Sequence, residues 1–164
     1  MFRAHVLANN SLQRLVFREA VVALFGRSVR QIAGRDYDDR QIAVWAPEYP
    51  DMDAWADRLG SGTVLVAEVR ESMAGFARLD KEGNIDLLYV DSTYERCGVA
   101  TRLINGLTRV ARGRGLRRLY ADVSVTARPF FEAQGIEVLE SQSVERRGVV
   151  LRNYRMVRAE HDGV

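Results

Sequence analysis

Apolar and polar residues recur along the chain with two periods, one typical of helices and one typical of strands. Apolar positions at helical spacing predict a long helix over residues 12–33, although residues 15–17 could instead form a strand. Two shorter helices are predicted over residues 38–45 and 51–59, each opening on an aspartate that can cap it. Strands are predicted over residues 2–7, 64–69, 73–79, 85–90, 119–125, 138–144 and 149–157.

Two further helices, over residues 99–112 and 129–134, complete the predicted order of elements. The three strands between residues 64 and 90 are separated by short turns, which predicts an antiparallel meander, and the last two strands read as a hairpin. The sequence contains no internal repeat or linker, and 164 residues of which 47% are hydrophobic can build one core. We therefore predict a single α/β domain over residues 1–158, followed by a tail of residues 159–164.

The formal net charge of +2 conceals an uneven distribution. Residues 96–118 contain seven arginines and no acidic residue, whereas the rest of the chain has 17 basic and 22 acidic residues. A nearly neutral chain is not typical of a dedicated nucleic-acid-binding protein, although the arginine-rich helix keeps that class as an alternative. Few aromatic residues accompany the arginines, so recognition of bases by stacking has little support. We predict no nucleic-acid partner.

Composition argues against several other classes of protein. No apolar run approaches the roughly 20 residues that span a bilayer, and the N-terminus lacks a signal-peptide pattern, so we expect a cytoplasmic protein without membrane association. Cys97 is the one cysteine and cannot form an internal disulfide. The two histidines, His5 and His161, lie near the ends of the sequence, so a histidine-based metal site or catalytic triad is not expected. We predict chemistry without a metal.

Residues 90–101 join a predicted strand to an amphipathic helix and carry most of the chemical signal. Gly98 and Ala100 keep this loop small, so that backbone N–H groups can approach a ligand closely. The start of the helix adds unpaired N–H donors and the positive end of the helix dipole, and Arg96 adds a full charge. The pattern predicts a site for a phosphate-bearing ligand. A tight turn followed by solvated arginines is the alternative.

Residues 87–100 resemble the acetyl-CoA signature of the GNAT superfamily of N-acetyltransferases. In that signature a strand is followed by Gln/Arg-x-x-Gly-x-Gly/Ala and a helix, and this chain has LLYV followed by YERCGVA. Residues 126–136 and 75–77 resemble other segments of the family, and the C-terminal hairpin is similar to a bacterial subgroup of largely uncharacterised acetyltransferases. The resemblance implies one GNAT-like α/β domain, with a mixed, mostly antiparallel sheet of six or seven strands and four or five flanking helices.

The resemblance also implies an activity, the transfer of an acetyl group from acetyl-CoA to a primary amine of a small molecule or peptide by direct attack. Acetyl-CoA is then the cosubstrate, and a homodimer is one expected form of the protein. Backbone N–H groups on the strand are expected to face the developing oxyanion. The residues implied to contact the cofactor are Leu88, Val90, Glu95, Arg96, Cys97, Gly98, Val99, Ala100, Thr101, Ser124 and Phe131.

Two positions depart from the family pattern. Glu95 stands where Gln or Arg is usual, a change that a loop binding phosphate through its backbone should tolerate. Phe131 stands where many members have a tyrosine that protonates the departing thiolate, and phenylalanine has no proton to donate. A thiol with a pKa of about 8.5 is a tolerable leaving group, so activity can survive this change. The alternative function is a GNAT-fold acyl-CoA sensor with weakened catalysis.

The candidate catalytic residues are Asp86, as the base that deprotonates the amine, and Tyr89, as a proton donor or a lining residue. Both have ordinary alternatives, since a strand aspartate can face solvent and a strand tyrosine can belong to the core. Tyr37 and Trp45 precede the sheet, where the family builds its acceptor wall. Residues 36–57 contain seven acids and one arginine, which favours a cationic amine if they line the acceptor side and indicates only solvated helices otherwise.

Overall fold

The computed structural model describes residues 2–6 and 11–159, which form seven strands and five helices. The helices are α1 Ser11–Gln31, α2 Asp39–Trp45, α3 Met52–Leu59, α4 Val99–Gly113 and α5 Arg128–Ala133. The strands are β1 Phe2–Val6, β2 Thr63–Val69, β3 Ser72–Leu79, β4 Asn84–Val90, β5 Arg118–Ser124, β6 Glu137–Arg146 and β7 Val149–Ala159. Short 3-10 helices lie between α1 and α2, at Ala33–Arg35, and between β4 and α4, at Ser92–Tyr94.

The predicted elements are all present, with bounds that differ by a few residues. Residues 15–17 belong to α1, so the alternative of a strand there is wrong. Asp38 and Asp51 cap α2 and α3, because each carboxylate accepts a hydrogen bond from the backbone N–H three residues later, at 2.8 and 3.0 Å. Leu7 and residues 160–164, which belong to the first predicted strand and the predicted tail, lie outside the described residues.

The strands form one mixed sheet in the order β1-β2-β3-β4-β5-β7-β6. Neighbouring strands are antiparallel except β4 and β5, which are parallel. Helices α1–α3 cover one face and α4–α5 the other. Alternation along β2 shows this division, since Val64 and Val66 join the core under α1 whereas Leu65 and Ala67 join the core under α4. The predicted α/β class is confirmed, and among the described residues the sheet has seven strands and is flanked by five helices.

The sheet is split between its two central strands. β4 and β5 are paired at two positions, through Asn84 and Ile85 of β4. Directly afterwards Asp86 forms a bulge in β4, because Ile85 and Leu87 on either side of it pair with consecutive residues of β3. A bulge bends its strand and increases the local twist. The rest of β4 therefore separates from β5 and leaves a cleft between the two strands.

Tyr37 forms hydrogen bonds that join the segment between α1 and α2 to the part of the sheet formed by β5, β7 and β6. Its hydroxyl donates a hydrogen bond to the carbonyl oxygen of Arg152 in β7 and accepts one from the N–H of Val125, just beyond β5, at 3.0 Å. Gln41 of α2 adds a third contact, since its Nε2 donates to the carbonyl oxygen of Val150 at 3.0 Å. These bonds attach the segment between α1 and α2, and α2 itself, to the part of the sheet that contains β5 and β7.

Asp80 organises the turn between β3 and β4. Its carboxylate accepts hydrogen bonds from the backbone N–H of Glu82 at 2.9 Å and from the backbone and side chain of Asn84, both at 2.8 Å. Burial opposes ionisation most strongly, but these bonds together outweigh it and lower the pKa of Asp80. The turn thereby determines where β4 begins, two residues before the bulge.

Candidate active site

A cavity of about 680 Å³ occupies the cleft between β4 and β5. Both strands, the loop before α4, the start of α5 and the end of α1 contribute to its walls. The structure describes all seven acidic residues of segment 36–57, and none of them lines the cavity. These acids therefore give no support to the expectation of a cationic amine, which required them to line the acceptor side. The charged residues that line the cavity are Arg35, Asp86, Glu95, Arg96 and Asp122.

The loop before α4 presents backbone N–H groups to this cavity. Arg96 and Gly98 adopt left-handed conformations, with φ of 60° and 81°, which turn the chain just before the helix begins. The first hydrogen bond of the helix is donated by the N–H of Arg102 to the Gly98 carbonyl oxygen at 3.1 Å, so the N–H groups of residues 99–101 have no acceptor within the helix. No described side chain caps this end. A Cβ added to Gly98 would meet no atom within 4 Å, so open space lies in front of these donors.

Gly75 of β3 allows α4 to begin close to the sheet. A Cβ at this position would lie 2.9 Å from the carbonyl oxygen of Tyr89 and 2.9 Å from Cγ1 of Val99, which is closer than real Cβ atoms approach. The first turn of α4 therefore packs directly over the paired strands β3 and β4. This packing places the N–H groups at the start of α4 beside the end of β4.

The edge of β4 that faces the cleft carries unpaired backbone groups. The N–H of Asp91 donates to the carbonyl oxygen of Ala74 in β3 at 2.8 Å, and successive N–H groups alternate between the two edges of a strand. The N–H groups of Leu88 and Val90 therefore point away from β3 and into the cleft, beyond the two positions at which β4 pairs with β5. Both residues line the cavity, so the structure brings these two predicted donors and the loop before α4 together.

Glu95 is bound by an arginine that no local sequence pattern connects with it. Nη1 and Nη2 of Arg35 donate to the two carboxylate oxygens of Glu95 at 2.6 and 2.8 Å. This hydrogen bonding and the opposite charge lower the pKa of Glu95 and raise that of Arg35. The residue at the unusual position of the signature is thus half of a bidentate ion pair at the cavity wall.

Two further contacts join the end of α1 to the segment before this loop. Nη2 of Arg27 donates to Oδ2 of Asp91 at 2.8 Å, and the hydroxyl of Ser92 donates to the side-chain oxygen of Gln31. Together with the ion pair at the loop, they form a row of three contacts made by positions 27, 31 and 35. A spacing of four residues keeps side chains on one face of a helix. One face of α1 and its continuation therefore contacts the connection between β4 and α4 at three positions.

Asp86, the predicted base, lines the cavity and is ion-paired. Its Oδ2 accepts hydrogen bonds from Nε of Arg58 at 2.9 Å and from Nη1 of Arg78 at 2.7 Å. Arg78 is buried and is also bonded to the carbonyl oxygen of Ser61 at 3.0 Å, so its position is constrained. Oδ1 of Asp86 is buried and has no hydrogen-bond partner among the described residues. Of the two carboxylate oxygens, Oδ2 is thus bound by both arginines and Oδ1 by no described residue.

Tyr89 and Trp45 both line the cavity. Burial raises the pKa of the Tyr89 hydroxyl and outweighs a smaller, opposite influence of the Trp45 indole. The ring of Tyr89 packs edge-on against Phe25 of α1, with centroids 4.8 Å apart. Tyr37 packs against Trp45, with centroids 5.2 Å apart, but lies outside the residues that line the cavity. Its hydroxyl is occupied by the backbone bonds of β7 and residue 125.

The other predicted cofactor residues differ in their placement. Ser124 lines the cavity, and its hydroxyl accepts a hydrogen bond from the Ala127 N–H at 3.1 Å, next to the start of α5. Phe131 also lines the cavity and is 4% exposed, as part of the core under α4. Cys97 is exposed and lies outside the lining residues. Of the predicted cofactor residues between positions 95 and 101, those that line the cavity are Glu95, Arg96, Gly98, Val99, Ala100 and Thr101.

The arginine-rich stretch is not a single phosphate-binding patch. Of its seven arginines, Arg96 is the one that lines the cavity. Arg109 and Arg112 lie on the order of 15–20 Å along α4 from its start, since a helix rises about 1.5 Å per residue. Arg114 contacts the Thr63 hydroxyl at the far end of the sheet. The excess charge of this stretch therefore lies mostly outside the cleft.

The site residues that sequence patterns do not identify are Arg35, Arg58 and Arg78. Arg35 and Arg58 bind partners that are 60 and 28 residues away, and no local pattern marks them. Arg78 carries a weak signal, because a single charge in an otherwise apolar strand requires a partner when it is buried. All three arginines bind carboxylates that line the cavity.

The described residues include neither a candidate membrane-spanning helix nor a candidate metal-binding cluster. None of the described helices is both long enough and apolar enough to cross a membrane. In residues 2–6 and 11–159, no three His, Cys, Asp or Glu side chains are grouped so that they could hold a metal ion.

Known proteins resemble this chain in sequence and in fold. The family model for the acetyltransferase (GNAT) domain matches residues 33–158. YafP of Escherichia coli strain K12, an uncharacterized N-acetyltransferase, is 35% identical over 139 residues, which are 84% of this chain and 87% of YafP.

Solved structures share the architecture of the chain. A GCN5-related N-acetyltransferase of Rhodopseudomonas palustris has a TM-score of 0.87 at 29% identity, over 98% of this chain and 95% of its own. YncA of Salmonella typhimurium, whose structure includes its cofactor acetyl-CoA, has a TM-score of 0.70 over 100% of this chain and 98% of its own. At 17% identity, this second likeness concerns the fold alone. Because the family model spans more than half of the chain and YafP aligns with most of it, the chain belongs to the GNAT family of acetyltransferases.

Proposed function

We propose that this chain transfers an acetyl group from acetyl-CoA to a primary amine of a small molecule or peptide. The observation that carries the proposal is the cleft, where the N–H groups at the start of α4 and the free edge of β4 open onto one cavity. The first set of donors suits the phosphates of the cofactor, and the second suits its acetyl oxygen. The acetyl-CoA bound to YncA, which shares the fold, supports this choice of cosubstrate.

The reaction proposed for this cavity is a direct attack. The amine nitrogen adds to the carbonyl carbon of the thioester, so that a C–N bond forms and negative charge collects on the carbonyl oxygen. The N–H groups of Leu88 and Val90 donate to that oxygen and stabilise the charge. The C–S bond then breaks, the nitrogen gives up its second proton, and the CoA thiolate takes up a proton, so that the products are the acetylated amine and the CoA thiol. Holding both reactants in one cavity supplies much of the rate enhancement.

The cavity wall offers one group that can remove the ammonium proton and one that can protonate the thiolate. We assign removal of the ammonium proton to the carboxylate of Asp86, because this residue lines the cavity and one of its two oxygens, Oδ1, accepts no hydrogen bond from a described residue. Burial raises the pKa of Tyr89, so its hydroxyl stays protonated at neutral pH. A phenolic hydroxyl can donate a hydrogen bond, so Tyr89 can pass its proton to the thiolate. Tyr89 would then supply the proton that Phe131 cannot.

The acceptor is proposed to enter on the α1–α2 side of the cavity. Val29, Ile32 and Trp45 line this side, together with Ser28 and with Arg35, which is paired with Glu95. None of the acids of segment 36–57 lines the cavity, and each acid that does, Asp86, Glu95 and Asp122, is paired with an arginine, so the lining offers no unpaired carboxylate that would select a polyamine. An amine with an apolar or aromatic body fits this side best.

An amine panel tests the proposal. The purified chain is incubated with acetyl-CoA and with polyamines, amino acids, arylalkylamines and peptides, while release of the CoA thiol is followed and products are identified by mass spectrometry. An acetylated amine whose rate of formation scales with protein concentration supports the proposal. Reactions without protein are the control for spontaneous acetylation.

The acyl-CoA sensor remains the second candidate, and the absence of a hydroxyl on the buried Phe131 favours it. Calorimetry with acetyl-CoA separates the two functions. Binding without turnover of any amine would favour the sensor, whereas absence of binding would contradict both functions.

A further inference from the structure

Of the three contacts that positions 27, 31 and 35 make with the segment before α4, one lies at the cavity. Arg35 and Glu95 both line it, whereas Arg27 and Asp91, which form the matching ion pair, do not. The side chains of Arg35 and Glu95 are 55% and 28% exposed. Exposed ion pairs contribute little to folding stability, so the main effect of this pair is expected at the cavity.

Glu95 brings a negative charge into the loop whose other groups favour anions. The backbone N–H groups of residues 99–101 and the side chain of Arg96 all present positive charge to the cavity. A carboxylate without a partner at this place would repel the diphosphate of coenzyme A and compete with it for the same donors. The bidentate bond to Arg35 occupies both oxygens of Glu95 and compensates its charge.

We infer that Arg35 is a positioning residue for the cofactor. It neutralises Glu95 and holds its carboxylate on the α1 side, so that the loop can accept a diphosphate. This inference rests on the proposed function of the loop. Arg35 acts through Glu95. Glu95 stands at the signature position where the pattern that this loop resembles has Gln or Arg. The structure thereby assigns a role to an arginine 60 residues before the loop.

Calorimetry with coenzyme A measures the effect of this charge. We expect Arg35→Ala to raise the Kd for coenzyme A about tenfold, which corresponds to about 1.4 kcal/mol. The loss should shrink when NaCl is raised from about 0.05 M to about 0.5 M, because salt screens an exposed charge. A loss caused only by displacement of the loop would not depend on salt in this way.

Four further variants separate charge from structure. Glu95→Gln should bind coenzyme A at least as tightly as the unsubstituted protein, and Arg35→Ala combined with Glu95→Gln should return to within about threefold of it. Arg35→Lys keeps the charge and should recover part of the affinity that Arg35→Ala loses. Arg27→Ala is the matched control, since it removes an ion pair between α1 and Asp91 outside the cavity, and its Kd should stay within about twofold.

Distinct results would overturn the inference. Unchanged affinity of Arg35→Ala, a tenfold loss in Glu95→Gln, or a double variant no better than Arg35→Ala would each do so. Thermal unfolding shows which variants are folded, and Glu95→Gln keeps the inference testable if Arg35→Ala is not. Absence of coenzyme A binding by the unsubstituted protein would overturn the proposed function and this inference together. Normal binding by both the unsubstituted protein and folded Arg35→Ala would overturn this inference alone.

Discussion

Replacing Gly98 with aspartate places a carboxylate in the proposed phosphate site. Gly98 lines the cavity and has a φ of 81°, and a Cβ added to it meets no atom within 4 Å, so a new side chain begins in open space. Aspartate and asparagine are the residues with side chains that tolerate this left-handed backbone best. The two substitutions therefore share the same strain and nearly the same shape, and they differ by one charge.

The size of the charge effect follows from the distances in the loop. A phosphate bound to the N–H groups at the start of α4 would lie on the order of 5 Å from the carboxylate introduced by Gly98→Asp, where repulsion between two unit charges is about 1–3 kcal/mol at effective dielectric constants of about 80 to 20. This energy corresponds to about a 5- to 150-fold increase in Kd. The backbone strain, about 1 kcal/mol, affects both variants equally and cancels in their comparison.

Titration calorimetry with acetyl-CoA on Gly98→Asp and Gly98→Asn measures this difference, and thermal unfolding verifies that both variants are folded. We expect Gly98→Asn to bind within about tenfold of the unsubstituted protein and Gly98→Asp to bind at least about fivefold more weakly than Gly98→Asn. Equal affinities of the two folded variants would show that the cofactor phosphates do not lie against this loop.

Three other substitutions test the remaining assignments. Asp86→Asn should lower kcat about 100-fold or more and change the pH–rate profile, with little effect on the Kd of acetyl-CoA, if Asp86 is the base. Asp122→Asn is the control, because Asp122 is an exposed carboxylate that also lines the cavity. Equal kcat in the two variants would show that Asp86 is not the base. Tyr89→Phe keeps the ring packing and should lower kcat about tenfold or more at unchanged Kd, whereas unchanged kcat would exclude Tyr89 as the proton donor. Asp80→Asn should reduce the free energy of unfolding in urea by about 1–2 kcal/mol at neutral pH. Because the pKa of native Asp80 is lowered, its contribution is present above the pKa of the unfolded chain and is lost as the pH falls through the native value, so a difference that persists at low pH would contradict this account.

Local patterns are sufficient to predict most of the architecture. Asp38 and Asp51 are identifiable as caps because the bonds they make join residues three apart. The loop at Gly98 is identifiable because its small residues and the following helix are contiguous in sequence. Each of these features depends on interactions within one short segment, so the order of residues is enough to reveal it.

Other parts of the site depend on contacts between distant segments. The surroundings of Asp86 have no sequence signal, because periodicity does not mark a bulge and its two arginine partners come from α3 and β3. The acids of segment 36–57 precede the sheet as the acceptor wall should, but proximity in sequence does not determine which way their side chains point. Tyr37 shows the same limit, because its hydroxyl binds the backbone of Arg152, 115 residues away.

The division of the sheet has a consequence for the solubility of the chain. Beyond their two paired positions, β4 and β5 each present a strand edge to the cleft, in addition to the outer edges of the sheet at β1 and β6. A strand edge with unpaired N–H and C=O groups is a template on which another chain can add a strand. The opening that gives a ligand access to the cavity is thus also an entry point for aggregation, and a molecule that fills the cleft should protect the protein from it.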